Sequence, residues 1–391
     1  MGIVLTGLDI FGQSRWKEFS GCRLGLLANQ ASVDRYLRTA AQVITERLPG
    51  SLTALFGPQH GYGGQDPDNM VETSDDVDSR FDVPVFSLYS ETREPLPHML
   101  DRLDLLVVDL QDVGTRVYTF SSTIKNCLQA CKTCGKGVVI FDRPNPLGGN
   151  RIEGNILDAD YFSFVGPGFI PMRHGLTIGE LGLLLNEECG IGCRLEVIPM
   201  EGWHREMLWG ETGLRWLMPS TNMPCPETAA VYPGQVIWEG TNLSEGRGTC
   251  RPFEIFGAPF IDVTAVRKVL CPEALRGCHL QDYTFRPTFH KWESELCSGF
   301  MLHVTDTDIY DPYYTSLCLL KAVMAAHPDQ FRWRKPPYEY EFERMPIDLI
   351  LGDPAVRMGL ESGVSVSELK NLWHPALEEY GRRRIRYHLY R

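Results

Sequence analysis

The sequence predicts an α/β protein: a Rossmann-like parallel sheet domain followed by a second, smaller α/β (α+β) domain. Three observations carry the parallel sheet. Runs such as 22–28 (CRLGLLA), 52–56 (LTALF), 103–110 (LDLLVVDL) and 138–141 (VVIF) are apolar almost throughout, as strands are when helices cover both faces of a parallel sheet. Each run gives way to a polar loop, then to apolar residues at helical spacing, then to the next run, the rhythm of strands joined by crossovers. The chemistry-bearing residues gather after the strands, at the carboxyl ends where open α/β sheets bind ligands.

Taken in order, the run 22–28 ends in Asn29-Gln30-Ala31-Ser32, and Leu37, Ala40, Ala41, Val43 and Ile44 space a helix over 35–47. The strand 52–56 stops at Gly57-Pro58, a pair that neither continues a ladder nor starts a helix cheaply. Gln59 and His60 follow at once, with three glycines in the next four positions. Residues 65–82 are acidic and rich in Gly, Pro, Asp and Ser, a loop or lid without a core signal. A strand at 84–89 ends in the polar stretch holding Glu91, and a short helix is expected at 97–102. The strand 103–110 ends in Gln111-Asp112-Val113-Gly114-Thr115-Arg116, Tyr118 opens a helix over 118–134, and the strand 138–141 ends in Asp142-Arg143-Pro144-Asn145.

Beyond residue 150 the pattern loosens. Arg173 and His174 precede a helix announced by the capping box Thr177–Glu180, and 194–199 reads as a strand. The Pro-rich, aperiodic stretch 217–226 looks like a crossing between domains, so residues 1–226 and 227–391 are expected to divide the chain. The second part opens on Glu239-Gly240-Thr241-Asn242-Leu243-Ser244-Glu245-Gly246-Arg247. It goes on to a strand at 300–304, helices at 315–326 and 366–380, and a basic tail, 381–391, read as a docked final strand.

Composition narrows the function. A length of 391 residues suggests two domains, and 43% apolar residues allow large cores. A net charge of −12 argues against nucleic acid as the partner. No window approaches ~18 consecutive apolar residues, so no membrane insertion is expected. The N-terminus has no basic region followed by an apolar run, which points to a cytoplasmic chain. Of the 12 cysteines only Cys131 and Cys134 form a CxxC. Without a second pair or nearby histidines this does not read as zinc, and scattered thiols fit a reducing compartment. Neither G-x-G-x-x-G after the first strand nor a phosphate-binding G-x-x-x-x-G-K-[ST] occurs, so no nucleotide cofactor and no metal is expected.

What the strand ends offer is carboxylates, arginines and amides, which favours acid/base work on a polyol over acyl transfer. The carboxylates open to nomination are Glu91, Asp112, Glu153, Glu239 and Glu245. Each could equally be a cap or an ion pair, and Asp112 with Arg116 could be a salt bridge that fixes its loop. Arg116, Arg173 and Arg247 could clamp a substrate carboxylate or brace their own loops.

The stretches FGPQHGYGG, PVFSLYSETREP, DLQDVGTRVYTF, IFDRPNPLGG, IPMRHGLTIGEL and EGTNLSEGRGTCRPFE resemble, in order, the motifs of the NamZ-like exo-β-N-acetylmuramidases. The resemblance runs from about Gly7 to Tyr390. It implies a Rossmann-like domain carrying the active site, a smaller C-terminal α/β domain and a cleft between them. It also implies release of terminal N-acetylmuramic acid from peptidoglycan fragments, with small saccharides or muropeptides as partners and no cofactor. Gln59, His60, Asp112 and Glu239 are the expected catalytic residues. Asn29, Glu91, Arg116, Tyr118, Arg143, Asn145, Arg173, His174, Asn242, Glu245 and Arg247 are the expected substrate contacts. The opening motif departs from the family's usual Pro-Glu-His-Gly, for Gln59 stands at the glutamate. An amide cannot exchange a proton as a carboxyl does, and losing a general acid or base costs ~10²–10⁴-fold in rate. Three readings follow: another carboxylate takes over (Asp112, Glu91 or Glu239), the substrate differs, or this member mainly binds sugar.

Overall fold

The computed structural model describes residues 3–64 and 71–391. Its centre is a seven-stranded sheet in the order β3-β4-β2-β1-β5-β6-β9. The strands are β1 (Leu24–Ala28), β2 (Leu52–Gly57), β3 (Asp76–Asp78), β4 (Val83–Ser87), β5 (Leu105–Asp109), β6 (Gly137–Phe141) and β9 (Arg194–Ile198). Between β6 and β9 lie β7 (Glu153–Ile156) and β8 (Pro171–Arg173), which pair with each other. Only β3 runs antiparallel, on the outer edge of β4. Counted by their place in the chain, the six parallel strands lie in the Rossmann order 3-2-1-4-5-6, which opens a crevice where the order reverses, at the carboxyl ends of β1 and β5.

Residues along these strands alternate between two cores. Leu24, Leu26, Leu55, Val107, Val139 and Phe141 face helices Gly7–Gln13 and Ala40–Arg47. Leu27, Ala54, Phe56, Leu106, Val108, Val138 and Ile140 face helices Phe120–Thr133 and Ile178–Glu188. Both faces are covered, so neither needs a polar residue, and the strands read as continuous apolar runs.

The remainder is built around a three-stranded antiparallel sheet, β10 (Ile255–Ala258), β12 (Cys297–Val304) and β11 (Cys278–Phe285), with β12 central. Helices Pro226–Gln235 and Val263–Val269 pack against β12, and helix Pro312–Ala326 packs on both of them. Trp238 stacks on Phe256 at 4.6 Å and 9°. These residues belong to the same hydrophobic core that covers one face of the parallel sheet, so the smaller sheet is fastened to the larger one by shared burial.

Three expectations change. The helix expected over 35–47 begins only at Ala40. Asp34 draws the preceding residues into a turn by accepting from the Tyr36 and Arg38 amides, Leu37 adopts φ 65°, and Thr39 with Gln42 forms the capping box. The tail is docked, but as a helical turn: helix Val366–Arg383 runs into a 3₁₀ turn, Arg384–Tyr387. There Arg384 donates to the carbonyls of Gly149, Asn150 and Gly175, bonds that need a side chain and no strand edge. Within 65–82, residues 65–70 lie outside the described residues, while Asp76–Asp78 forms β3. Its Asp-Val-Asp sequence carries too little pattern to announce a strand.

Candidate active site

Gly57 ends β2 because a Cβ there would sit 2.5 Å from the Tyr62 nitrogen, so only glycine lets the chain fold back this tightly. The turn delivers Gln59, buried, and His60, whose φ of 73° is left-handed. The amide of Gln59 is fixed from three sides. Its Oε1 accepts from the Thr119 hydroxyl at 2.6 Å, and its Nε2 donates to the Tyr89 hydroxyl and to Glu339 Oε1, both at 3.1 Å. Thr119 precedes helix Phe120–Thr133, and Tyr89 follows β4. Tyr89 is itself fully buried and donates to Glu339 Oε2 at 2.6 Å. Three strand ends of the Rossmann-like sheet thus converge on a carboxyl that lies 280 residues beyond Gln59 in the chain.

Glu339 sits in a turn closed by reciprocal main-chain bonds between Tyr338 and Glu341. Glu339 and Tyr340 both hold left-handed backbones, φ 46° and 65°, a conformation that costs non-glycine residues free energy and persists only where surroundings enforce it. The bonds to Gln59 and Tyr89 supply that enforcement. Burial pushes the Glu339 carboxyl up to about 7, reinforced by the charge of Glu239 and opposed by the Tyr89 and Gln59 hydrogen bonds.

A second buried carboxylate, Glu239, lies in the 3₁₀ turn Val236–Gly240. Its partners differ in charge. Arg247 donates to Oε1 at 2.7 Å and the Tyr338 hydroxyl to Oε2 at 2.6 Å. Arg247 also lies 3.2 Å from Glu245. Burial works to raise the Glu245 carboxyl, but Lys291, His290 and Arg247 together hold it well below the ordinary range. Burial likewise works against the charge of Arg247, but Glu239 and Glu245 outweigh it and raise its pKa. Gln59, His60, Tyr118, Glu239, Arg247 and Glu339 line one cavity of about 40 Å³. That holds about two or three waters, and a sugar ring enters only if the walls part.

Five of the residues nominated from sequence, Gln59, His60, Tyr118, Glu239 and Arg247, therefore meet in one place, with Glu245 behind Arg247. The others stand elsewhere. Asp112 faces His174 at 3.3 Å, both buried, and Asp112 accepts from the Gly114 amide. Its anticipated bridge to Arg116 does not form, because Arg116 points away and donates to the carbonyls of Asn155, Ile170, Ile350 and Leu351. Burial lowers the Arg116 guanidinium to about 10. Arg143 is paired with Asp109 at 2.5 Å and Arg173 with Glu153 at 2.7 Å. Asn29 donates to the Pro219 carbonyl, Asn145 to Leu176 and Asn242 to Gln330. Glu91 is exposed on the loop after β4. Among the described residues no group of three or more His, Cys, Asp or Glu could hold a metal ion.

Glu339 and Arg93 were not nominated. Arg93 stacks on the Tyr340 ring and shares the wall of a neighbouring 340 Å³ hollow with Glu339. Among the described residues its Nε and one Nη have no hydrogen-bond partner, and the carboxylate nearest to it, the exposed Glu72, is 3.8 Å away. Arg93 stood in the quoted SETREP stretch, among residues weighed for Glu91 alone. Glu339 lies in the acid–aromatic alternation YEYEFE, which carries no motif and no strand end.

Two family models cover almost the whole chain: the N-terminal domain of exo-β-N-acetylmuramidase NamZ over residues 24–227 and its C-terminal domain over 230–390. A peptidoglycan β-N-acetylmuramidase, NamZ of Bacillus subtilis (strain 168), is 40% identical over 387 residues, 99% of this chain and 91% of that protein. Two crystal structures of DUF1343 family proteins from Bacteroides fragilis NCTC 9343 share the fold. One has a TM-score of 0.89 at 31% identity over 99% of each chain. The other has a TM-score of 0.75 at 26% identity, over 100% of this chain and 99% of that one. With both halves matched and a relative this similar over nearly its full length, the chain belongs to the exo-β-N-acetylmuramidase NamZ family.

Proposed function

We propose that this protein hydrolyses the glycosidic bond of a terminal β-linked N-acetylmuramic acid, releasing that sugar from small peptidoglycan fragments. The observation that supports this reading best is the pair of buried glutamates in one cavity, Glu239 held by Arg247 and Glu339 with its carboxyl raised to about 7. Glycosidases work with two carboxyl groups, one of which carries a proton to the departing oxygen. Taking 226/227 as the domain boundary, each domain supplies part of the wall: Gln59, His60 and Tyr118 before it, Glu239, Arg247 and Glu339 after it.

The substrate's lactyl carboxylate needs a cation with donors to spare. Arg116 and Arg173 spend most of theirs on main chain and Glu153, and the charge of Arg247, though not every one of its donors, is matched by two glutamates. Arg93, with donors unpartnered among the described residues and a place beside Glu339, fits that role. We place the activity in the cytoplasm, on fragments already detached from the wall; no helix among the described residues is long and apolar enough to cross a membrane.

Gln59 favours a second reading, a sugar-binding member without turnover. The two remaining glutamates weigh against it. Incubating the purified protein with the disaccharide MurNAc–GlcNAc and with an aryl β-N-acetylmuramide separates the two: free N-acetylmuramic acid is the expected product. Calorimetric binding without release would establish the binder, and absence of binding would end both.

A further inference from the structure

Glu339 lines the cavity as a buried carboxyl without a cation, and Gln59 and Tyr89 fix where it points. We infer that Glu339 is the general acid of this site and Gln59 its positioning residue, an inference that rests on the glycosidase reading above. Both oxygens of Glu339 are engaged by neutral donors, Gln59 Nε2 and the Tyr89 hydroxyl. No cation is within bonding distance among the described residues, in contrast to Glu239, whose partner is Arg247. With no cation to offset its burial, desolvation outweighs these two donors and keeps the proton on the carboxyl, which is what a group that must carry a proton to neutral pH requires.

The amide at position 59 completes this arrangement. Thr119 occupies its carbonyl oxygen, leaving its N–H face for Glu339. A glutamate there would bring a second carboxyl to hydrogen-bond distance, and the two would share one proton. With Gln59 the site holds a single titrating carboxyl at that spot, on the wall contributed by the 338–341 turn. The left-handed backbones of His60 and Glu339, on the two sides of the contact, are what bring both side chains to it.

In the reaction, the Glu339 carboxyl gives its proton to the glycosidic oxygen. The bond from the anomeric carbon to that oxygen breaks, its electron pair leaving with the departing sugar as a hydroxyl. A water oxygen adds to the anomeric carbon, and the surplus water proton restores the Glu339 carboxyl, directly or through solvent.

The test compares leaving groups. Glu339→Gln is assayed on MurNAc–GlcNAc, whose departing alcohol needs a proton, and on 4-nitrophenyl β-N-acetylmuramide, whose phenolate does not. The expected result is a loss of ~100-fold or more in kcat/KM on the disaccharide against roughly tenfold or less on the aryl substrate, with the alkaline limb of the pH profile gone. Equal losses on both substrates, or a disaccharide rate left intact, would overturn the assignment. Should the wild type cleave neither substrate, the glycosidase reading itself fails and takes the acid with it. Tyr89→Phe is the second variant, decisive also if Glu339→Gln does not fold. It removes a donor that favours the ionised carboxyl, so the alkaline limb moves to higher pH; an unmoved limb refutes Glu339 as its source.

Discussion

Replacing Gln59 by glutamate tests the electrostatics of the site in a quantity that needs no substrate. In the native chain the carboxyl of Glu339 is raised from 4.5 to about 7, so between those values the folded state holds a proton the unfolded chain has released. Stability therefore falls as pH rises through that window, by about 3 kcal/mol for a shift of this size, and the contribution is flat above about pH 7. Gln59→Glu exchanges the Nε2–H donor, 3.1 Å from Glu339 Oε1, for an acceptor-only oxygen. Two charges at ~3 Å repel by about 5 kcal/mol at an effective dielectric of 20, so the pair keeps one proton well past neutrality. The difference in stability between variant and native protein then widens by about 1.4 kcal/mol per pH unit from pH 7 to 9. Urea unfolding at pH 7, 8 and 9 measures it, and subtracting the native curve removes groups common to both chains. Parallel curves across that range would show that residues 59 and 339 do not share a proton site. The same variant is expected to extend activity to higher pH; a rise of 100-fold or more at neutral pH instead would mean that Gln59 had disabled the native site.

Two further outcomes follow from neighbouring residues. Arg93→Leu removes the cation beside Glu339, two of whose donors are unpartnered among the described residues. It is expected to lower kcat/KM by ~10–100-fold on an aryl N-acetylmuramide, the scale of one lost charge-assisted contact, while leaving the corresponding N-acetylglucosaminide, which lacks the lactyl carboxylate, within about twofold; equal effects on both would remove Arg93 from substrate recognition. Arg116→Met orphans the carbonyls of Asn155, Ile170, Ile350 and Leu351 while relieving an unpaired buried charge, and a net destabilisation of about 2–4 kcal/mol is expected from chemical unfolding with an unchanged m-value.

The sheet was legible because its strands are buried on both faces: Leu24–Ala28 and Leu105–Asp109 are apolar runs that only a covered sheet explains. Gln59 and Glu239 were legible as polar residues placed where chain direction or glycine spacing gives them no packing task. Asp112, Arg143 and Arg173 looked the same by those criteria and proved to be partners of His174, Asp109 and Glu153. A strand-end charge that braces a loop and one that faces a ligand leave the same trace in one sequence, because the difference lies in what tertiary contact puts opposite. The tail failed for a related reason. Its arginines mark it as polar, but the carbonyls they cap come from residues 149, 150 and 175, whose position only the fold supplies.

Glu339 was hidden by the same property that gives it a role. Its segment has no periodicity and two consecutive left-handed residues, and nothing local favours that shape. Each side chain of the turn is spent on a different neighbour: Tyr338 on Glu239, Glu339 on Gln59 and Tyr89, Tyr340 against Arg93. The backbone cost, on the order of 1–3 kcal/mol per left-handed residue, is offset only when all three contacts are made together, and those contacts come from loops after the parallel strands and from the Val236–Gly240 turn. The carboxyl is therefore positioned before any sugar arrives, as acid catalysis requires of a group that must not reorganise during proton transfer. Because the 40 Å³ cavity must widen to admit a ring, substrate entry works against these same contacts, and part of the binding energy goes into re-forming them around the sugar. Weakening the turn is then expected to lower turnover more than affinity.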